Sequence, residues 1–254
     1  MSPNYEGLIE VTAETVDAHG FFCCMSKRAS AGWQAKRDWL LERFPEGLRL
    51  YLLGGGRRGF IEFMPGESCW RPVSASGWTV IHCLWVVGSS KGRGEAAKLL
   101  AQCIEDARDA GSAGVAVVAS TLNFLTAPSF YEHFGFRRVD RATPRYELMA
   151  LPFGDAAQLP RFTPAAKRPR IESERGLLIQ TTDQCPYNAQ LVDGLCAQAD
   201  RANLPTEVVH LGSAAQVRER AVTPHGTFCV ALDGEPAPSV FVPRDFEKAL
   251  KRRE

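Results

Sequence analysis

The chain has 254 residues, of which 45% are hydrophobic and 23% are charged, and its 30 Lys and Arg against 29 Asp and Glu leave a formal net charge of +1. This composition predicts one or two globular domains and excludes a mainly disordered chain, a collagen-like repeat and a coiled coil. A near-neutral chain is not a general binder of polyanions, although a local basic patch stays possible.

The first part of the chain alternates predicted helices and strands in a mixed α/β order. A strand over 6–12 precedes helical pieces within 14–26 and a helix over 30–44, whose apolar positions include Trp33 and Trp39. The elements that follow are strands at 48–53, 59–64, 78–87, 114–120, 136–141 and 146–151, and helices at 95–110 and 127–134.

The composition shifts once, between Pro152 and Gly176. This segment contains four prolines and shows no apolar periodicity, which predicts a linker or a connection draped over the surface. We therefore expect a first domain over 1–152, a linker over 153–175 and a second domain over 176–254. The basic residues of the linker are interpreted as solvated, with contact to a phosphate-rich partner as the alternative.

After the linker, the predicted element order is βαβαββα, a thioredoxin-like order. The elements are strands at 177–182, 206–211, 227–232 and 237–242, and helices at 187–202, 213–221 and 243–252. The segment is long enough for a small independent domain.

Neither a secretory signal nor a membrane span is expected. The longest apolar runs fall well short of the roughly 20 residues that cross a bilayer, and Glu6 and Glu10 interrupt the start of the chain.

The eight cysteines form no CxxC pair and, with the histidines, no zinc-ligand spacing, so we expect no metal site. Reduced thiols and a cytoplasmic location follow from this cysteine usage.

The most informative segment is a strand that is followed by a glycine turn and a helix. The strand ends near Val87, the turn contains Gly88, Gly92 and Gly94, and the helix begins at about Glu95. Free N–H groups at such a helix start, together with the helix dipole, bind phosphate. Glycine spacing alone is weak evidence for a phosphate site, because the loop matches neither a Walker A loop nor a full dinucleotide-binding fingerprint.

Two motifs in this half resemble those of the GNAT acyltransferase family. Residues 91–96, KGRGEA, are similar to its R/Q-x-x-G-x-G/A motif, with Lys91 at the Arg/Gln position, and residues 130–136, FYEHFGF, resemble its Tyr-Glu-x-x-Gly-Phe element. The resemblance spans about residues 5–151. It implies the GNAT fold and the transfer of an acetyl or other acyl group from acyl-CoA to an amine of a small molecule or peptide.

The resemblance also implies where acetyl-CoA, or another acyl-CoA, is held as cosubstrate. The pyrophosphate would contact the glycine turn, while the pantetheine arm and the thioester would lie along the end of the central strand, whose backbone polarises the carbonyl. The implied cofactor-binding residues are Leu84, Trp85, Val86, Lys91, Gly92, Arg93, Gly94, Glu95, Ala96 and Asn123. The amine would attack directly, which is largely catalysis by proximity.

Three side chains are candidates for proton transfer. Tyr131 occupies the position at which the family places a general acid for the leaving thiolate. The Glu that many relatives use as a general base falls at about Val80, so the base is left open between His82, whose unperturbed pKa of about 6.5 suits the task, and Glu62. The alternatives are a buried core histidine at position 82 and an ordinary exposed strand carboxylate at position 62.

The second half carries a motif of its own. Cys185-Pro-Tyr-Asn188 resembles the active-site turn of glutaredoxins, Val222-Thr-Pro224 resembles their proline loop, and the combination looks like the YoaP-like domain that follows GNAT modules. The dipole of the helix that follows is expected to lower the pKa of Cys185. Asn188 replaces the resolving cysteine, which excludes a dithiol cycle within the motif. A binding or structural role is preferred.

Two other functions stay open from the sequence. The first is acyl transfer from an aminoacyl-tRNA on the same fold, suggested by basic clusters such as Arg57-Arg58, Arg137-Arg138 and Lys167-Arg168. The second is a monothiol redox or thiol-binding protein with its site at Cys185 and Pro224. A homodimer is possible, and the acceptor amine and the acyl group are left open.

Overall fold

In the computed structural model, which describes residues 7–122, 124–155, 158–171 and 175–251, seven strands form one mixed sheet. These strands are β1 (Leu8–Val11), β2 (Arg49–Leu53), β3 (Gly59–Pro65), β5 (Thr79–Val86), β6 (Gly114–Ser120), β7 (Arg137–Ala142) and β8 (Tyr146–Pro152). Their order across the sheet is β1-β2-β3-β5-β6-β8-β7. We call this part, up to residue 152, the N-terminal domain.

Both faces of this sheet are covered. The helices of the N-terminal domain are α1 (Val16–His19), α2 (Ala31–Arg43), α3 (Glu95–Asp109) and α4 (Pro128–Glu132). Because side chains alternate along a strand, Leu50 and Leu52 pack into the core that includes Trp33 and Trp39 of α2. Tyr51 instead packs into the core against α3 on the opposite face.

The central strands β5 and β6 separate at one end of the sheet. They pair in parallel only from Thr79 opposite Val115 to Ile81 opposite Val117, although β5 continues to Val86. On its other side β5 stays paired with β3, through a β-bulge in which His82 is the extra residue. The separation opens a gap between two strands in the middle of the sheet.

The C-terminal domain, residues 175–251, has a smaller sheet. Its elements are β10 (Leu177–Thr181), α6 (Asn188–Arg201), β11 (Thr206–His210), α7 (Ala214–Arg220), β12 (Phe228–Leu232), β13 (Glu235–Pro236) and α8 (Pro243–Leu250). The strand order is β11-β10-β12-β13, with β10 parallel to β11 and antiparallel to β12.

The strand predicted at 237–242 is wrong. The fourth strand is only Glu235–Pro236, and beyond it the N–H of Val240 donates to the carbonyl of Ala237 in a turn. Prolines at 236, 238 and 243 remove the backbone donors that a longer strand would need. Val240 and Phe241 are buried in the core of the C-terminal domain without belonging to its sheet.

The segment predicted as a linker or as a connection draped over the surface packs against the protein. It contains β9 (Arg161–Phe162), which pairs with β4 (Val73–Ser74), and α5 (Pro164–Lys167), whose cap Thr163 accepts from the N–H of Ala166 at 3.4 Å. Phe162 and Ala166 are buried.

Residues of the two domains share one buried cluster. Leu178, Leu211 and Val222 of the C-terminal domain belong to the same buried cluster as Trp70 and Val73 of the N-terminal domain. None of the helices in the described ranges is long and apolar enough to cross a bilayer.

Candidate active site

A groove of about 800 Å³ runs along the end of β5 and the start of α3. Eight of the predicted cofactor-binding residues line it, namely Leu84, Trp85, Val86, Lys91, Gly92, Gly94, Glu95 and Ala96. Arg93 is exposed beside the groove without lining it. Asn123 lies outside the described residues.

The glycine turn presents unpaired backbone donors. Gly92 and Gly94 have φ angles of +73° and +75°, the left-handed region that glycine adopts without steric cost. The first N–H of α3 to find a backbone acceptor is that of Lys98, which donates to Gly94 O at 3.2 Å. Among the described residues, the N–H groups of residues 92–97 have no acceptor. This arrangement can hold an anion at the positive end of the helix dipole.

Glu95, at the start of α3, is neutralised by neighbouring cations. Its carboxylate, which is only 6% exposed, pairs with Arg57 Nη1 at 3.1 Å and with Lys98 Nζ at 3.6 Å. Arg57 also donates to the carbonyls of Gly7 and Gly54, so the pair fixes the β2–β3 hairpin against the helix. The carboxylate therefore does not oppose an anion at the turn, where the side chains of Lys91 and Arg93 are exposed.

Backbone groups of β5 face the gap between the central strands. The N–H of Val87 donates to the carbonyl of Arg58, on the β3 side. Because backbone groups alternate along a strand, those of Leu84 and Val86 face the opposite side, toward the gap. The Leu84 carbonyl there accepts from Thr126 Oγ1 at 3.4 Å. Among the described residues, the N–H groups of Leu84 and Val86 on this side have no acceptor, so an extended ligand in the groove can pair with them.

Tyr131 is buried where the groove meets a second cavity. Its side chain is 2% exposed, and it lines the second cavity beside Thr126. Burial raises the pKa of Tyr131, so the phenol stays protonated at neutral pH. The group can therefore supply a proton to a neighbouring anion.

The second cavity, of about 120 Å³, lies between the two domains. We call it the interdomain pocket. Its polar lining from the N-terminal domain comprises Cys23, Lys36, Glu62, Arg71, His82, Cys83, Thr126 and Tyr131, and that from the C-terminal domain comprises Gln184, Cys185, His225 and Thr227. Leu84 and Thr126 line both this pocket and the groove, so the two cavities adjoin at the gap between β5 and β6.

Glu62 is buried and fully engaged, which corrects the expectation of an exposed strand carboxylate. It pairs with Lys36 Nζ at 2.5 Å, and it accepts from Gln184 Nε2 at 3.0 Å and from His82 Nδ1 at 3.2 Å. Burial by itself raises the pKa of Glu62, but the charge of Lys36 and the hydrogen bond with His82 outweigh it and lower the pKa to about 2. The bulge in β3 and β5 brings these groups together.

His82 has no free ring nitrogen. Its Nε2 accepts the N–H of Trp70 at 3.0 Å, so Nδ1 carries the proton and donates to Glu62. Burial lowers the pKa of His82 to about 4. The imidazole is neutral and already bonded at both nitrogens, which favours the buried core histidine over the direct general base.

Arg71 was missed by the sequence analysis. It is 4% exposed and donates to the Gln184 side chain at 3.1 Å and to the His225 carbonyl at 3.1 Å. Its Nη1 also donates to Thr227 Oγ1, and its Nη2 donates to the His82 carbonyl. Most of these acceptors lie more than 110 residues away in sequence, so no local pattern could have indicated them.

Lys36 was missed although a signal existed. It lies in α2 three residues from both Trp33 and Trp39, and therefore on the buried face of the helix. Its ammonium lies 4.1 Å from the centre of the Trp39 ring. A lysine on an apolar helix face predicts a buried partner, which here is Glu62.

Cys185 differs from its prediction. Burial raises the pKa of its thiol, whereas the helix dipole was expected to lower it. Cys185 precedes α6 by three residues, and it is half-buried where it lines the interdomain pocket against the N-terminal domain. Asn188, at the place of a resolving cysteine, donates to the carbonyls of Thr182 and Thr227 at 2.8 and 3.0 Å. Pro224 lies in the buried loop that ends at Thr227.

Among the described residues, no group of three or more His, Cys, Asp or Glu side chains is arranged to hold a metal ion.

Comparison with known proteins places these features in a family. Residues 18–136 match the acetyltransferase (GNAT) family. The N-acetyltransferase YoaP of Bacillus subtilis (strain 168), itself described as uncharacterized, is 32% identical over 229 residues, which are 89% of this chain and 90% of YoaP.

Solved structures of lower identity also match. Ard1 from Thermoplasma volcanium is 17% identical, with a TM-score of 0.42 over 58% of this chain and 97% of its own. A GNAT acetyltransferase from Brucella melitensis in complex with acetyl-CoA is 18% identical, with a TM-score of 0.37 over 59% and 91%. The match to YoaP at this identity and coverage confirms the resemblance seen in the motifs, and the chain belongs to the GNAT family of N-acetyltransferases.

Proposed function

We propose that the protein binds acetyl-CoA in the groove and an amine in the interdomain pocket, and that the acetyl group is transferred at the gap between β5 and β6. The observation that carries this proposal is the junction of the two cavities at Leu84 and Thr126. A thioester at that junction would face both substrates. Holding an amine against a thioester in this way supplies most of the rate acceleration through proximity.

The donor is held by backbone groups. The free N–H groups of residues 92–97 bind the pyrophosphate, with the exposed Lys91 and Arg93 adding charge. The free edge of Leu84 and Val86 pairs with the pantetheine arm and polarises the thioester carbonyl. The proposed site therefore depends more on backbone geometry than on particular side chains.

Tyr131 acts as the general acid. The amine nitrogen attacks the carbonyl carbon, the carbon–sulfur bond breaks, and the leaving thiolate takes the proton of Tyr131. The proton that the attacking nitrogen loses restores the phenol. A pKa raised by burial keeps this proton on Tyr131 until a thiolate forms beside it.

Glu62 is a weak base in this arrangement, because its pKa is about 2 and Lys36, His82 and Gln184 already bond to it. We propose that it positions the pocket instead and that the amine reacts after losing its proton to water. The cations Lys36 and Arg71 favour this, since positive charge lowers the pKa of a nearby ammonium.

The C-terminal domain is proposed to be a thioredoxin-like fold that forms the acceptor wall. Its strand order, with β10 parallel to β11 and antiparallel to β12, supports this. A thiol reaction at Cys185 is disfavoured by the raised pKa of the thiol. A tRNA donor is disfavoured because several basic clusters are already ion-paired, as Arg57 is with Glu95 and Lys167 is with Asp140.

Acetyl-CoA binding by calorimetry and CoA release by chromatography test the proposal. With an accepted amine, Tyr131→Phe is expected to lower kcat by about 10²-fold or more and to leave the Kd of acetyl-CoA within about twofold. Tyr146→Phe is the matched control, because Tyr146 is equally buried and lines neither cavity. Equal kcat for the two variants would remove Tyr131 from the mechanism, and failure of acetyl-CoA to bind would refute the proposal as a whole.

A further inference from the structure

The interdomain pocket carries an excess of positive charge. Lys36 and Arg71 are 3% and 4% exposed, and the one carboxylate that lines the pocket among the described residues is that of Glu62. His82 and His225 also line it, and burial lowers their pKa values to about 4 and about 3, so both are neutral. The formal charge of the lining is therefore +1.

The pocket also has donors without acceptors. The ammonium of Lys36 has three hydrogens, and its one hydrogen bond within the described residues goes to Glu62. The Nδ1 of His225 accepts the N–H of Phe228 at 3.3 Å, so its Nε2 carries the proton. That N–H has no acceptor among the residues that the structure describes. Both residues line the pocket, so these donors can serve an acceptor group of a ligand there.

The size of the pocket limits what can fill it. A cavity of about 150 Å³ holds one benzene molecule, and the interdomain pocket measures about 120 Å³. It therefore admits a group of about five or six non-hydrogen atoms. The thiols of Cys23, Cys83 and Cys185 line it as well, and burial keeps them protonated because it raises their pKa values.

We propose that the acceptor is a small primary amine that also carries a carboxylate, of the size of a short amino acid, and that its carboxylate is bound by Lys36 and His225. This inference rests on the proposed function, since it identifies the substrate class of the same site. One carboxylate brings the charge of the pocket from +1 to zero and supplies acceptors for the free donors. The amino group, in its uncharged form, is then directed toward the gap where the thioester lies.

A cationic acceptor fits the pocket poorly. A diamine or an ammonium ion would add positive charge next to Lys36 and Arg71, and it would offer no acceptor to the free N–H groups. An uncharged amide of the same shape would fill the volume and leave the excess charge unbalanced. Charge, and not only size, therefore separates these classes.

The test compares each short amino acid with its own amide. Wild-type protein is given saturating acetyl-CoA with glycine, β-alanine or L-alanine, or with the corresponding amides, and CoA release is measured by chromatography. The value of kcat/KM is calculated with the concentration of the uncharged amine form of each compound. In at least one of the three pairs, kcat/KM is expected to be at least tenfold higher for the amino acid than for its amide. Equal values for acid and amide in every pair, with acetyl-CoA bound and consumed, would overturn the inference while the proposed function stands.

A double variant tests whether Lys36 binds the carboxylate of the acceptor. The double variant Lys36→Met/Glu62→Gln removes the ion pair together, because removing one partner would leave a buried unpaired charge. The charge of the lining stays at +1 through Arg71, but the ammonium that binds the carboxylate is gone. The preference for the acid is therefore expected to fall at least threefold, whereas Lys248→Met, which changes an exposed lysine of α8, keeps it in full. An undiminished preference in the double variant would exclude Lys36 as the carboxylate ligand.

A binding measurement on the wild type does not depend on the variant folding or on turnover. In the presence of CoA, the amino acids are expected to raise Tm and the amides to leave it unchanged. No shift by any of the acids would contradict the carboxylate site. Failure of acetyl-CoA itself to bind would instead refute the proposed function and, with it, the inference.

Discussion

Adding a single methyl group at Gly32 tests whether α2 and the Cys185–Pro186 turn are in contact. Gly32 lies in α2, and a Cβ built there would come within 2.2 Å of the Pro186 carbonyl oxygen and 3.6 Å of Ala189 Cβ. The first contact is with backbone, so no side-chain rotation relieves it. The Gly32→Ala variant therefore requires the two domains to move relative to each other.

Two effects of the substitution oppose each other. Alanine in place of glycine within a helix stabilises it by roughly 0.5–1 kcal/mol. Overpacking of a close-packed interface costs roughly 1–3 kcal/mol. We expect the clash to prevail, because the approach is far shorter than any real carbon–oxygen contact. The net loss in the free energy of unfolding is then about 1–2 kcal/mol, which corresponds to a fall in Tm of roughly 3–6 °C.

The kinetics separate a local effect from a general one. The turn at Cys185 lines the interdomain pocket and not the groove, so the acceptor KM is expected to rise severalfold while the Kd of acetyl-CoA stays within about twofold. Gly154→Ala is the control, because a Cβ there meets nothing within 4 Å. A Gly32→Ala protein with a higher Tm and an unchanged acceptor KM would refute the contact between α2 and this turn.

Two further predictions concern acid stability and the glycine turn. The folded-state pKa values of His82 and His225, about 4 and about 3, lie below the ordinary 6.5. Their contribution to the free energy of unfolding is therefore complete above pH 6.5 and is lost as the pH falls toward these values, because the unfolded chain binds the protons first. Urea unfolding at pH 7, 6 and 5 should show this free energy falling by up to about 1.4 kcal/mol per pH unit for each histidine, and a flat profile would contradict the burial of neutral histidines. Gly94→Ala is expected to weaken acetyl-CoA binding about tenfold, because a φ of +75° costs an alanine about 1–2 kcal/mol. The control is Gly55→Ala in the β2–β3 hairpin, where φ is +64° and a Cβ meets nothing within 4 Å. This variant should lower the stability of the protein but leave the Kd of acetyl-CoA, measured by calorimetry, unchanged.

The groove could be predicted from the sequence because its determinants are local. The glycines at 92 and 94 and the strand that ends near Val86 lie within about ten residues of one another, and together with the resemblance of residues 91–96 to the family motif they predict a turn between a strand and a helix. The backbone supplies the binding groups, so few side-chain contacts had to be foreseen. Helix and strand periodicity likewise places most elements within a few residues of their observed bounds.

The interdomain pocket could not be predicted because its determinants are not local. Glu62 appeared exposed by strand alternation, and only the bulge at His82 and the contact with Gln184, 122 residues away, explain its burial. The thiol of Cys185 was judged from the helix that follows it, whereas packing against another domain decides its environment. Sequence patterns report which residues share a face, but not what covers that face.

The buried guanidinium of Arg71 determines how the pocket is maintained. Burying a charge without a carboxylate partner is costly unless its donors are satisfied, and three of the acceptors of Arg71, on Gln184, His225 and Thr227, belong to the C-terminal domain. Separating the domains would remove these acceptors and also the Gln184 bond to Glu62. The two domains are therefore expected to act as one unit, which supports the proposal that the C-terminal domain is a fixed wall of the acceptor site rather than the carrier of a reactive thiol.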